Sequence, residues 1–269
     1  MPTHPSHADL ASLLTTAERI AHGVDQILLQ GFGKVTASQK ADGSLVTQTD
    51  HAADEYINQH LSAAYPDHDI LSEERNTTYR PAAEFTWVID PLDGTTNFAH
   101  GLPIWGVSIA LQHSGVPVIG LVSFPSLREI VQTIKDNGAT CNGTPIHTAT
   151  NEAVDSQHFL MSCTRTQRHY QVNTPLKPRI MGSAAYHIIA VANGSALAGI
   201  EATPKLWDIA AALLILSEAG GTYQQLDSSD PTFPLAPKQQ NYERIAFPML
   251  AAANQSIMRE MEQSLVERK

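Results

Sequence analysis

A chain of 269 residues with 42% hydrophobic content can bury one large core or two modest ones without disulfides or a structural metal. Its formal charge of −10 excludes the Lys- and Arg-rich surface that neutralises a nucleic-acid backbone, so any phosphate bound here is expected to be small and held through cations. Two cysteines, Cys141 and Cys163, lack metal-ligand spacing and make no disulfide scaffold, which points to a reducing cytoplasm; with no charged leader and no run of about 18 apolar residues, neither export nor membrane insertion is expected.

From Leu10, apolar residues at Leu13, Leu14, Ala17, Ile20, Ala21, Val24, Ile27 and Leu28 repeat at i, i+3, i+4, the rhythm of a long amphipathic helix with Gly31 as its stop. Ala41 to Ser44 is polar and turn-prone, Leu45-Val46-Thr47 is short and extended, and Asp50 stands where the N-cap of a second helix belongs. That helix carries Ala53, Tyr56, Ile57, Leu61 and Ala64 on one side and ends near Pro66. Strand-like runs follow at 69–72, 85–89, 107–111, 118–123 and 130–134, with Ser114-Gly115 as a hairpin turn, so an antiparallel meander is expected. After Asn142-Gly143 strands alternate with helices: a strand at 159–162, a helix from 183 to about 192, a strand at 197–201 and a helix over 207–219 ended by Gly220-Gly221. Ser228 to Pro237 reads as a loop, 249–253 as a last strand, and Asn254 as the cap of a helix reaching Val266. The change of pattern divides the chain into an N-terminal α+β lobe, 1–142, and a C-terminal α/β lobe, 143–269.

The most informative segment runs from Trp87 to Phe98 and reads Trp-Val-Ile-Asp-Pro-Leu-Asp-Gly-Thr-Thr-Asn-Phe. A strand enters Asp90, Pro91 fixes the backbone, and Asp93 arrives within one turn, so both carboxylates can converge on a cation cluster. Hard oxygen ligands suit Mg²⁺. Gly94 permits close backbone approach, and the residues after it can open a helix whose free N–H groups face an anion. Three further segments place an acid at the end of an apolar stretch: Val46 to Asp50, Leu71 to Glu74, and Leu206 to Ala211 around Asp208. Taken singly each has a plain explanation: helix caps for Asp50 and Asp208, a solvated pair for Glu73-Glu74, simple turns for Asp-Pro and Asp-Gly.

In order and approximate spacing the four segments are similar to those of the inositol monophosphatase family, a resemblance covering roughly residues 10 to 225. It implies an αβαβα layered sandwich with the site between its halves. It further implies that Glu73, Asp90, Asp93, the carbonyl of Leu92 and Asp208 bind more than one Mg²⁺. By the same resemblance Asp50 and Thr95, with Glu73, orient and deprotonate the attacking water, and Gly94, Thr95 and Thr96 hold the phosphate. The alcohol portion would be met by Asp93, Asn97, Gly182, Ser183, Ala184, Glu201 and Asp208. Glu201 could accept from ring hydroxyls, or be an ordinary exposed strand end; the small residues at 182–184 could leave room for a ring, or serve close packing.

The chemistry makes sense of such a set. A phosphate monoester dianion repels hydroxide and has a poor alkoxide leaving group, so charge must be neutralised at both oxygens, as paired metals do. No protein nucleophile presents itself. Cys141 and Cys163 lack a Cys-x₅-Arg loop, Asp90-Pro-Leu-Asp93 is not an Asp-x-Asp pair, and no His-Glu-x-x-His helix suggests zinc. Inositol 1-phosphate is the first substrate expected. Ser44 replaces an acid often found in the family, and residues 40–44 also resemble histidinol-phosphate phosphatases. Thr96-Asn97 stands where nucleotide bisphosphatases carry Lys-Glu, which places those enzymes and fructose 1,6-bisphosphatases further back. A regulatory protein bound to the transcription machinery is the non-enzymatic alternative, and the complete acid set argues against it. A homodimer acting on a small phosphorylated polyol or sugar, sensitive to Li⁺ and binding neither nucleic acid nor membrane, is the resulting expectation.

Overall fold

The computed structural model describes residues 5–34, 37–39, 45–150, 153–226 and 240–268; the turn expected at 41–44 and the loop at 228–237 lie outside them. Helix α1, His7–Gly31, opens with a capping box in which the Ser6 hydroxyl accepts from the Asp9 N–H and the Asp9 carboxylate accepts from the Ser6 N–H. Its buried stripe, Leu10, Leu13, Ala17, Ile20, Ala21, Val24 and Leu28, is the one the periodicity predicts. Helix α2, Gln48–Ala64, begins earlier than expected, and this corrects the role given to Asp50. Thr47 is the N-cap, its hydroxyl accepting from Thr49 N–H at 3.1 Å, while Asp50 is the third helical residue and accepts from Thr47 N–H at 2.9 Å. Thr47 wins the cap because its extended backbone, φ −121° and ψ 166°, aims its hydroxyl at the orphan donors.

The other helices are α3, Thr95–Ala99; α4, Thr166–His169; α5, Ala184–Ala192; α6, Leu206–Glu218; and α7, Gln255–Ser264. Among the described residues the larger sheet has the spatial order Thr144–Ile146, Ala139–Cys141, Glu129–Ile134, Val116–Phe124, Gly106–His113, Phe85–Asp93 and Asp69–Ser72. The meander is antiparallel as expected, but Asp69–Ser72 pairs parallel to Phe85–Asp93, with the residues between crossing back over the sheet edge. Alternate residues of the long strands face opposite ways: Trp87, Ile89, Ile109 and Leu121 join the core under α1 and α2, while Val88, Ala110 and Val122 join the core with α5 and α6. Burial on both faces is why these strands read as unbroken apolar runs rather than alternations.

The second sheet has the order Lys177–Arg179, Phe159–Ser162, Ala198–Glu201, Met249–Ala252 and Thr222–Gln225; the first three are mutually parallel and the last two antiparallel to their neighbours. Asn142-Gly143 turns a hairpin of the first sheet, and the chain passes to the second sheet after Ile146. α6 lies between the sheets and is buried almost all round, from Leu206 and Trp207 to Leu216. Ala210, Ala211 and Ala212 permit its close seating, and a bulkier side chain there would overpack the layer at about 1–3 kcal/mol. With α7 on the outer face of the second sheet, the layers follow the expected αβαβα order. The last helix stops at Ser264 rather than Val266, because Leu265–Glu267 pairs with Tyr170–Val172 instead. No helix of the described residues is long and apolar enough to cross a membrane.

Candidate active site

The strand Phe85–Asp93 delivers two of the acids, and its pairing with Gly106–His113 breaks register between Asp90 and Asp93. Pro91 has no N–H to give the ladder, so the break falls beside it. Glu73 follows the edge strand and is fixed by its N–H, which donates to Ile89 O at 3.2 Å. Asp208 is the third residue of α6 and accepts from Lys205 N–H at 2.8 Å, while the Ser108 hydroxyl donates to Trp207 O at 3.1 Å and seats the start of that helix on the first sheet. One carboxylate oxygen each from Glu73, Asp90 and Asp208 lie within 4.8 Å of one another.

Burial raises Asp90 and Asp208 well above the usual carboxylate range. The charges of Glu73, Asp208 and Asp93 add to the effect at Asp90, and those of Asp93 and Glu73 at Asp208. Crowded negative charge presented by oxygen atoms alone is a donor set for a hard divalent cation, whose own charge reverses that electrostatic logic.

Asp93 lies outside this tight trio and holds the next layer. Its carboxylate accepts from the Ser183 hydroxyl, from Ala184 N–H at 3.2 Å and from Ala185 N–H at 2.9 Å, and so binds the N-terminus of α5. Burial raises its affinity for a proton, opposed by those three hydrogen bonds. Gly94 carries φ 86°, and a Cβ there would stand 2.9 Å from Ile104 O. Only glycine allows the strand to turn directly into α3. Phe98, one turn on, packs edge-on against Trp105 at 4.9 Å and anchors that short helix.

Thr95 places its hydroxyl 3.1 Å from Asp50 Oδ1 and 2.9 Å from Leu92 O; with one proton it can donate to only one of them at a time. The other Asp50 oxygen accepts from Thr47 N–H and from the Thr47 hydroxyl at 2.6 Å. Burial raises Asp50 above the usual carboxylate range, partly offset by the Thr47 and Thr95 hydrogen bonds. Glu73, Asp90, Asp93 and Asp208 line one cleft of about 180 Å³ together with Leu92, Gly94, Thr95 and Thr96.

Thr96, Gly182 and Asp208 continue into a neighbouring cleft of about 440 Å³. Its wall carries the expected Asn97, Ser183, Ala184 and Glu201, and two residues the sequence did not announce, Arg165 and His187. The Asn97 amide donates to Ile104 O at 2.7 Å and Met181 O at 2.6 Å, and Ser183 caps α5 by accepting from Tyr186 N–H, so both are engaged by protein. Gly182 has φ 79°, and a Cβ there would meet the Asn97 amide at 2.7 Å. Glu201 is no exposed strand end: it is 4% exposed, because its strand is an inner one of the second sheet, and its Oε1 lies 2.5 Å from His187 Nδ1. Burial, then the charge of Asp93, pushes Glu201 up to about 8, and burial pushes His187 down to about 4. A signal for His187 did exist: a polar residue inside an otherwise apolar helical run needs a buried partner. A larger cleft of about 580 Å³ beside the start of α1 contains none of these acids.

Residues 9–263 match the model of the Inositol monophosphatase family. An inositol monophosphatase of Mesembryanthemum crystallinum is 33% identical over 238 residues, 80% of this chain and 86% of that protein. A fructose-1,6-bisphosphatase/inositol-1-monophosphatase of Aquifex aeolicus is 31% identical over 231 residues, 80% of this chain and 86% of that protein. The solved structure of an IMPase from Thermotoga maritima is similar with a TM-score of 0.79 and 26% identity, covering 94% of this chain and 96% of that one. By a match that runs nearly end to end and meets a half-buried acid cluster suited to divalent cations, the chain belongs to the inositol monophosphatase family of metal-dependent phosphomonoesterases.

Proposed function

We propose that the protein hydrolyses a small phosphorylated polyol or sugar, inositol 1-phosphate before others, by direct attack of water with Mg²⁺ held at Glu73, Asp90 and Asp208. Asp93 and the carbonyl of Leu92 complete the ligand set. The observation that carries the reading is the trio of carboxylates within 4.8 Å, lining the same cleft as a hydroxyl backed by a buried carboxylate, Thr95 with Asp50. Divalent ions held there supply charge neutralisation at the entering and leaving oxygens.

The protein's own part is orientation and proton movement. Thr95 Oγ1 accepts from the water while passing its single proton to Asp50 Oδ1, and Asp50 is suited to take it because burial already favours its protonated form. The first N–H groups of α3, at Thr95 and Thr96 after Gly94, have no partner within the helix and meet the phosphate. Glu201 meets hydroxyls of the alcohol, while Asn97, Gly182, Ser183 and Ala184 shape the wall. In this reading residues 1–142 bring most of the ligands and 143–269 bring Asp208 and the alcohol side, in a cytoplasmic homodimer.

A second reading, a sugar bisphosphate, is favoured by Arg165. It is exposed on the wall of the 440 Å³ cleft, its Nη1 donates to the Thr203 hydroxyl at 2.9 Å, and it belongs to none of the ion pairs among the described residues. A second phosphate on the substrate would give it a partner. Phosphate release with Mg²⁺ from inositol 1-phosphate, fructose 1,6-bisphosphate and histidinol phosphate decides between them. The highest kcat/KM is expected for inositol 1-phosphate; a preference for either of the others replaces that substrate, and absence of metal-dependent release from all three removes the enzymatic reading.

A further inference from the structure

α5 is apolar along most of its length, and His187, 1% exposed, is the exception. A buried imidazole has two ring nitrogens to satisfy, and here the partners fix its protonation. The N–H of Met181 donates to Nε2 at 2.8 Å. That nitrogen must carry a bare lone pair, so the ring proton sits on Nδ1. From there it is donated to Oε1 of Glu201 at 2.5 Å. Met181 is held in turn by Asn97, whose amide donates to the Met181 carbonyl at 2.6 Å. A chain of hydrogen bonds therefore leads from the segment carrying Asp90 and Asp93, through Asn97, Met181 and His187, to a carboxyl group on the wall of the 440 Å³ cleft.

We infer that His187 is a positioning residue for substrate selectivity: its tautomer locked by Met181, it aims Glu201 at the alcohol portion of the ester and ties alcohol recognition to the phosphate end of the site. The inference rests on the reading of Glu201 as the partner of substrate hydroxyls. A glutamate side chain has three torsions to fix, and the donor at Oε1, with a hydrogen bond from the Cys163 side chain beside it, fixes them before the substrate arrives, leaving the acceptor capacity not used by these two for a ligand. The opposite tautomer would set a bare nitrogen against the carboxyl oxygen and a proton against the Met181 N–H, so the device works in one protonation pattern only.

Two substitutions separate its functions. His187→Asn keeps an amide donor near the place of Nδ1, for Glu201; His187→Gln keeps an acceptor near the place of Nε2, for Met181, and withdraws the donor from Glu201. In the Mg²⁺-loaded full chain, His187→Gln is expected to raise KM for inositol 1-phosphate roughly three- to tenfold, the worth of one hydrogen bond between uncharged partners, with little change in kcat or in hydrolysis of 4-nitrophenyl phosphate. His187→Asn should stay near wild type, and His187→Gln should add nothing in a Glu201→Gln background. Equal losses on both substrates, or equal losses in the two variants, overturn the positioning role. A wild type that does not prefer the polyol ester over the aryl ester overturns the reading of Glu201 and the selectivity role with it. The lock itself is read without turnover, from long-range ¹H–¹⁵N correlations of the histidine rings at neutral pH, with His187 assigned by its loss in His187→Gln. A neutral ring protonated at Nδ1 is expected; protonation at Nε2, or at both nitrogens, overturns the inference whatever the kinetics.

Discussion

Asp90→Asn and Asp93→Asn remove the same charge three residues apart, and the structure predicts opposite effects on metal-free stability. Asp90 accepts one backbone hydrogen bond, from Leu92 N–H at 2.9 Å, which the carbonyl oxygen of Asn can keep, and its neighbours Glu73 and Asp208 are like-charged. At about 5 Å and an effective dielectric of about 20, each such pair costs about 3 kcal/mol when both are ionised. The acids limit that cost by holding protons, so only part of it, about 1–2 kcal/mol, is recovered by the substitution. For a chain of this size the melting temperature should rise by about 2–8 °C. Asp93 is the reverse case. Its carboxylate receives three donors from Ser183, Ala184 and Ala185, and Asn can accept with one oxygen only while turning an amide toward the rest. The Asn oxygen can keep the Ser183 and Ala185 bonds in weaker, uncharged form while its amide meets the Ala184 N–H donor against donor; these losses, together about 2–4 kcal/mol, are offset in part by the relief of burying a charge, and a net loss of about 1–2 kcal/mol follows. Calorimetry in excess chelator at about neutral pH measures both. The gain in Asp90→Asn should shrink as pH falls, because a carboxyl with raised proton affinity contributes stability that is present at low pH and lost as pH rises through its folded value. Both variants should lose at least about a hundredfold in turnover. An Asp93→Asn protein that melts at or above wild type would refute the docking of α5 by Asp93, and an Asp90→Asn protein that melts below it would refute the repulsion argument.

Asp25 on α1 gives a pH test away from the site: burial pushes its carboxyl up to about 6 against one hydrogen bond from Ser123 and the nearby His22, and its Oδ1 has no hydrogen-bond partner among the described residues. Stability it contributes at low pH is lost between about pH 4 and 6, so Asp25→Asn should stabilise by roughly 2–3 kcal/mol at about pH 8 and by little at about pH 4 in denaturant titrations, and a pH-independent difference would contradict this. Glu201→Gln should raise KM for inositol 1-phosphate more than for 4-nitrophenyl phosphate; a uniform loss would place Glu201 among the groups acting on metal or water. Arg165→Ala should lower kcat/KM for fructose 1,6-bisphosphate about tenfold relative to inositol 1-phosphate, the worth of one charged contact, and an equal loss on both would count against a role for Arg165 at a second phosphate.

What the sequence made legible was burial and its rhythm. The stripe from Leu10 to Leu28, the apolar runs of the central strands and the all-round apolar α6 could be read because each is a local periodicity. The acids stood out because each ends such a run, where a polar group must face a cleft. What stayed hidden were partners. Asp93 meets α5 across some 90 residues, and neither end names the other; Ser183 read as a small residue at a helix start, leaving room for a ring or serving close packing, and nothing in the sequence announced the carboxylate that its hydroxyl meets. Asp69–Ser72 showed its strand character but not its parallel pairing, which the crossing of the chain decides. Thr47 took the cap expected of Asp50 because both residue types can cap and the backbone angles decide between them. His187 and Glu201, one on a helix and one on a strand, could not be paired without the packing that brings them within 2.5 Å.

Glu73, Asp90 and Asp208 are proposed to hold the divalent ions on which hydrolysis depends, and a metal titration tests this most directly. The measurement is phosphate release from inositol 1-phosphate by chelator-stripped protein as Mg²⁺ is titrated back, for wild type and Asp208→Asn. The wild type should be inactive without metal and recover saturably, and Asp208→Asn should need at least about tenfold more Mg²⁺, as expected when one anionic oxygen ligand becomes neutral. Full turnover in excess chelator, or an unchanged Mg²⁺ midpoint in a folded Asp208→Asn protein, would contradict it.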